Sequence, residues 1–141
     1  MKEYNDKQLI GETIIEANLC GRSVIFKLAS GAILIGECCS RPENLLFGSR
    51  PWIESLTLPR RGLPAIVTDI SYESIDELIP THEMKNTIFT VSFMLEILTN
   101  NGVIEVYSHN SHDDKFGGMI ELFEFESPCE YRNWFLGGSD V

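Results

Sequence analysis

The chain has 141 residues, 43% of them hydrophobic and 23% charged, with a formal net charge of −10. That length suits one domain with a core large enough to fold without a metal or disulfide staple. The composition excludes disorder as the main state. The aliphatic runs are too short for a membrane span of ~20 apolar residues, and the acidic balance argues against a dedicated nucleic-acid binder.

Residues 1–8 are polar and contain no apolar stretch of the kind a secretory signal needs; they predict an arm or a short helical turn. A cytoplasmic location follows as the expectation. Reduced thiols follow for Cys20, Cys38, Cys39 and Cys129, which lack C-x-x-C spacing and read as small apolar side chains. From Leu9 the chain turns apolar, and Thr13, Ile15 and Ala17 alternate with Glu12, Glu16 and Asn18 as in a strand. Val24, Phe26 and Leu28 alternate with Ser23, Ile25 and Lys27 in a second strand. Ala29-Ser30-Gly31 then turns the chain into a third, through Ile33 and Ile35 to about Cys38.

Ser40-Arg41-Pro42-Glu43 has the capping-box spacing of a short helix, and Ile53, Leu56 and Leu58 suggest a short strand. Pro59-Arg60-Arg61-Gly62 reads as a loop, and Ala65 to Ile70 as a strand. Residues 71–85 read as an excursion containing a short acidic helix, because Ser74-Ile75-Asp76-Glu77 repeats the capping-box spacing. Residues 87–98 carry a strong period of two, with Phe89, Val91, Phe93, Leu95 and Ile97 on one side. Asn100-Asn101-Gly102 predicts a hairpin turn, with Ile104 and Val106 on the returning strand. After a polar loop over 108–118, Met119 to Glu126 predicts a last strand. Ser127-Pro128-Cys129-Glu130 opens a C-terminal helix with a serine cap and proline in the first turn.

Aligning the hairpins on Gly31 and Gly102 sets Val24 against Leu95, Phe26 against Ile97, Ile33 against Ile104 and Ile35 against Val106. The expected fold is mainly β (α+β): an antiparallel sheet, a sandwich or half-barrel of two similar hairpin-containing halves, with two or three short helices. A single domain over 1–141 would contain two β sub-units, about 9–58 and 62–126, sharing one core, followed by a helix over 127–136.

Charge is uneven along the chain. Residues 1–70 hold eight Lys/Arg and eight Asp/Glu, whereas residues 71–141 hold three and thirteen, so the whole net charge lies in the second half. A solvated face is the simpler reading of such a bias, and a surface that captures a basic partner is the sharper one.

Catalytic signatures are missing. There is no G-x-S-x-G elbow, no visible thiol–histidine pair, no G-x-x-x-x-G-K-[ST] and no G-x-G-x-x-G. No catalytic residue, metal site or cofactor is therefore assigned. His109-Asn110-Ser111-His112-Asp113-Asp114 places two histidines beside two carboxylates, donors suited to a divalent ion. A fourth ligand at recognised spacing is missing and the one other histidine is His82, so a solvated turn is the simpler reading.

The pattern Leu9-Ile10-Gly11-x-x-Ile14-Ile15, followed by Val24-Ile25-Phe26-x-Leu28-x-x-Gly31-x-Ile33-Leu34-Ile35, resembles small bacterial β-rich proteins. Some of these are immunity proteins of contact-dependent and other polymorphic toxin systems. The resemblance covers about 30 residues closely and implies a single-domain cytosolic binder without catalysis; it carries over no functional residue. Toxin domains acting on nucleic acid are often basic, and an acidic protein meets such a surface rapidly by electrostatic steering.

The expected function is thus an antitoxin or immunity-type protein that occludes the active site of a cognate protein toxin with a basic surface, without nucleic acid or membrane as partner. The candidate partner-binding residues are Glu73, Asp76, Glu77, Glu83, Asp113 and Asp114, with Tyr72 as an aromatic anchor. Trp52 is a second aromatic candidate, and each of the two rings is more simply read as core. Two rivals are a small metal- or ligand-dependent enzyme using the 109–114 loop, and a homo-oligomeric structural subunit or homodimer with the 87–98 strand at its interface.

Overall fold

The computed structural model describes residues 1–39, 52–79, 87–109 and 119–137. Nine strands form one open antiparallel sheet: β1 (Lys2–Tyr4), β2 (Thr13–Cys20), β3 (Ser23–Leu28), β4 (Ile33–Cys39), β5 (Trp52–Thr57), β6 (Ala65–Ile79), β7 (Thr87–Thr99), β8 (Gly102–His109) and β9 (Met119–Glu124). Their order across the sheet is β1-β9-β4-β3-β2-β6-β7-β8-β5. A 3-10 turn (Asp6–Leu9) and one α-helix, α1 (Pro128–Gly137), complete the described elements. None of the described helices is long and apolar enough to cross a membrane.

The N-terminal arm is more ordered than its polarity predicts. Lys2 to Tyr4 pair with β9, and the 3-10 turn is closed by a capping box in which the Asn5 side chain accepts from Lys7 N while Gln8 accepts from Asn5 N.

The helix expected within 71–85 is replaced by strand. β6 runs unbroken to Ile79 and pairs with β7 along almost its whole length, Ser74 opposite Phe93 and Glu77 opposite Phe89. A single helical turn is marginal alone. The β-branched Ile70, Ile75 and Ile79 suit a strand, and the long β7 offers a ready ladder. Capping-box spacing is a local preference that this pairing overrides. The short helix expected near residues 40–48 lies outside the described residues.

One buried cluster organises the molecule. It takes Val24, Phe26 and Leu28 from β3, Leu34 from β4, Ile120 and Leu122 from β9, and Ile14 and Ala17 from β2. It takes Ile53, Val67, Leu95, Ile97, Ile104 and Val106 from β5 to β8. Burying each large apolar side chain contributes about 1.5–3 kcal/mol before the entropy of ordering it. The two groups of strands join in a short ladder, Thr13 opposite Ile66 and Ile14 opposite Ala65, extended by Gly11 N to Val67 O at 2.8 Å. At the other end β5 returns to the first group, with Ile53 N donating to Arg22 O at 2.9 Å.

A second, smaller cluster explains why β3 and β4 are apolar on both faces. Ile25, Ile35 and Phe125 are covered by Tyr131 and Trp134 of α1. The Phe125 ring lies 5.3 Å from Tyr131 and 5.7 Å from Trp134, and Lys27 Nζ sits 5.5 Å over Tyr131. Helix α1 starts where its sequence predicts, with Ser127 Oγ accepting from Glu130 N at 3.0 Å. The side chains of Cys20 and Cys38 are half-buried against these clusters, and Cys129 is exposed on α1.

The two aligned hairpins differ in their turns. The β3–β4 pair ends at Lys27 opposite Ile33, with five residues between, whereas β7–β8 ends at Thr99 opposite Gly102, with two. An odd and an even loop place the returning strand on opposite faces. Val24, Phe26, Leu95 and Ile97 all enter the main core, and so do Ile104 and Val106; on β4 it is Leu34 that does so, while Ile35 joins the second cluster.

Candidate functional site: an acidic outer face and an adjoining cleft

Register fixes which side chains leave the core on β6 to β8. Leu95 and Ile97 point inward, so Met94, Glu96 and Leu98 lie on the outer face, and their partners share it. Those partners are Asp69, Ser71 and Glu73 on β6, and Val103, Glu105 and Tyr107 on β8. Glu96 is directly opposite Glu105 and diagonal to Glu73, so three carboxylates stand in a row across three adjacent strands.

Like charges in such positions oppose folding. Glu96 shows it: burial first, then the Glu73 charge and a hydrogen bond with Glu73, then Glu105, push its carboxyl above the ordinary value, while a hydrogen bond with Ser71 pulls the other way. The salt bridges found among the described residues are Met1–Glu130 at 2.8 Å, Lys2–Glu124 at 3.9 Å and Lys27–Glu16 at 3.2 Å. None of them involves this row.

The candidate residues fall in different places. Glu73 is exposed in the acidic row. Tyr72, its neighbour, faces the opposite side, 39% exposed, and its hydroxyl donates to Ile120 O on β9 at 2.7 Å. Asp76 and Glu77 lie further along β6, opposite Thr90 and Phe89. Glu83, Asp113 and Asp114 lie outside the described residues, as do residues 110–112 of the histidine loop. His109 ends β8 opposite Trp52, and Trp52 is half-buried with the Arg22 guanidinium 5.8 Å from its ring.

Glu96 and Glu105 were not among the sequence candidates, although a signal existed. Once the Asn100-Asn101 turn is taken as a two-residue connection, Glu96 and Glu105 are equidistant from it and must face each other.

Tyr72 belongs to a second locus, a cleft of about 520 Å³ where β1, the 3-10 turn, β6 and β9 meet. Glu3, Asp6 and Glu121 line it together with Tyr4, Tyr72 and Met119. Tyr4 holds its phenolic proton more tightly than usual, through burial first and then the charges of Glu12 and Glu124.

No protein-family model, curated protein or solved structure matches this chain.

Proposed function

We propose that the chain is an antitoxin or immunity-type binding protein that occludes the active site of a cognate toxin domain through an acidic surface. The observation that carries the reading is the row Glu73–Glu96–Glu105, three carboxylates on adjacent strands at a cost to stability. A fold indifferent to that face would do better with one of them neutral, so a role in recognising a basic surface accounts for the arrangement. Asp76 and Glu77, further along β6, and Glu83, Asp113 and Asp114, outside the described residues, are proposed as further acids of the partner-binding set. In this reading the two groups of strands close on the core as a sandwich or half-barrel, leaving the outer face of β6–β8 to the partner. The protein acts in the cytoplasm of the producing cell, where the toxin would otherwise strike.

The test is to co-express the chain with the product of the gene beside its own and follow their association in stopped flow. The expected result is rapid complex formation whose rate falls on the order of tenfold between low and high salt. The triple variant Glu73→Gln, Glu96→Gln, Glu105→Gln should lose most of that salt dependence. No complex, or a complex formed at the same rate at every salt concentration and by the triple variant, would overturn the reading.

A further inference from the structure

Strand β6 runs on well past the strand that flanks it on its β2 side. Among the described residues the two meet only where Thr13 and Ile14 face Ile66 and Ala65, and where Val67 exchanges hydrogen bonds with Gly11 and Glu12. From Ile70 to Ile79 the ladder of β6 among the described residues is made with β7 alone. The side chains of Asp69, Ser71, Glu73 and Ser74 along this stretch are exposed.

Two sets of hydrogen bonds show which backbone groups leave this edge. Ile70 N donates to the carboxylate of its neighbour, Asp69 Oδ1, at 2.8 Å. Phe93, opposite Ser74, donates from N to Ser108 Oγ at 2.7 Å and accepts from the same hydroxyl at O at 3.2 Å, so its backbone is turned toward β8. Ser74 therefore stands in a pair without ladder bonds, and its N–H and C=O point away from β7. An even spacing sends Ile70 and Ser74 to the same side of the strand.

The edge is also of one sign. β6 carries Asp69, Glu73, Asp76 and Glu77, and no Lys or Arg occurs between Arg61 and Lys85. Pairing with the same edge of a second copy would set these acids against one another. From the open ladder and its charge we infer that the β6 edge takes an extended segment of a protein partner as an added strand, with Lys or Arg at every second position. The N–H and C=O groups of that segment bond to those of Ile70 and Ser74. Its basic side chains lie on the outer face beside Asp69 and Glu73, so a cation continues the row Glu73–Glu96–Glu105 across one more strand. A cation beside Asp69 draws the carboxylate off Ile70 N and releases that N–H to the incoming carbonyl. The inference rests on the toxin reading above for the source of the segment, but not for the edge itself.

Amide hydrogen exchange of the full chain, read by NMR alone and with a short end-capped peptide alternating Lys with Val, tests it. Saturable slowing at Ile70 and Ser74 is expected, and none with the peptide that has Glu for Lys. Ser74→Pro removes a donor on the open side and leaves the β7 ladder intact, and Asp69→Asn removes a charge without touching the backbone. Each should weaken peptide binding roughly tenfold. The same two amides should slow in the complex with the cognate toxin. A toxin complex in which both keep their free rates overturns the edge and leaves the toxin reading standing. Peptide bound at the edge, with no toxin complex, supports the edge and overturns the toxin reading. No saturable slowing, equal binding of the Glu peptide, or binding indifferent to both variants when they keep the wild-type circular dichroism spectrum would overturn the inference. So would a dimer of the free chain in light scattering with both amides already slow.

Discussion

Gly36 shows how closely single atoms are placed. A Cβ there would lie 2.7 Å from Val24 Cγ1 and 3.3 Å from Leu122 Cδ2. Gly36→Ala is therefore expected to destabilise the fold by about 1–3 kcal/mol, the usual cost of overpacking, measured by urea denaturation. Glu96 makes an electrostatic prediction of defined sign. Its folded carboxyl is raised above the ordinary 4.5, so the folded state binds the proton more tightly than the unfolded chain. Its contribution to stability is complete below the unfolded value and disappears as pH rises through the folded one. Glu96→Gln should raise the melting temperature at neutral pH and flatten its pH dependence between acid and neutral. Unchanged melting curves across that window would show that the repulsion does not exist. Glu130 has the opposite slope. Hydrogen bonds from the chain's amino group and from Glu126 N lower its carboxyl, so its contribution is present above 4.5 and is lost as pH falls through the folded value.

Elements were legible in proportion to how far local chemistry decides them. β3, β7, β8, β9 and α1 follow directly from alternation, the Asn-Asn-Gly turn and the Ser127-Pro128 cap. β6 beyond Ile70 was not legible, because its length is set by β7 across the ladder rather than by Ser74 and Glu77 themselves. The acidic row was half legible: Glu73 stood out as an acid, but Glu96 and Glu105 needed register. The cleft was invisible, since Glu3 and Glu121 are 118 positions apart and meet only through the β1–β9 pairing. The two asparagines of the β7–β8 turn also do more than turn the chain. Among the described residues positive φ falls on glycines alone, here Gly102 at 122°, where a Cβ would meet Arg60 N at 2.8 Å. Asn100 Oδ1 accepts from Ile66 N at 2.8 Å. Asn101 Nδ2 donates to Gly62 O at 3.1 Å and Pro64 O at 2.8 Å. Asn101→Ala should cost about 1–2 kcal/mol by stranding those carbonyls, with faster amide exchange in residues 59–66 as its signature. Exchange confined to β7–β8 would contradict that role.

At the scale of the whole molecule, the two groups of strands share one core but differ in their surroundings. β3, β4 and β9 have a helix over their outer face, whereas β6, β7 and β8 carry the carboxylate row on theirs. Trp134→Ala removes one of the two rings that cover Ile25, Ile35 and Phe125, and should cost about 3 kcal/mol or more by the usual scale for large-to-small substitutions at a packed aromatic. Dye binding to newly exposed apolar surface, with far-ultraviolet strand signal retained, is the expected readout. Full loss of strand signal would mean that α1 is integral to the sheet rather than laid upon it.

Helix α1 follows every described strand, so the order of synthesis matters. While the ribosome is still extending residues 125–137, the apolar outer side of β3 and β4 has nothing to cover it, and neighbouring nascent chains can adhere there. Slow translation or early release in that interval should send material to inclusion bodies even though every described strand has already been made.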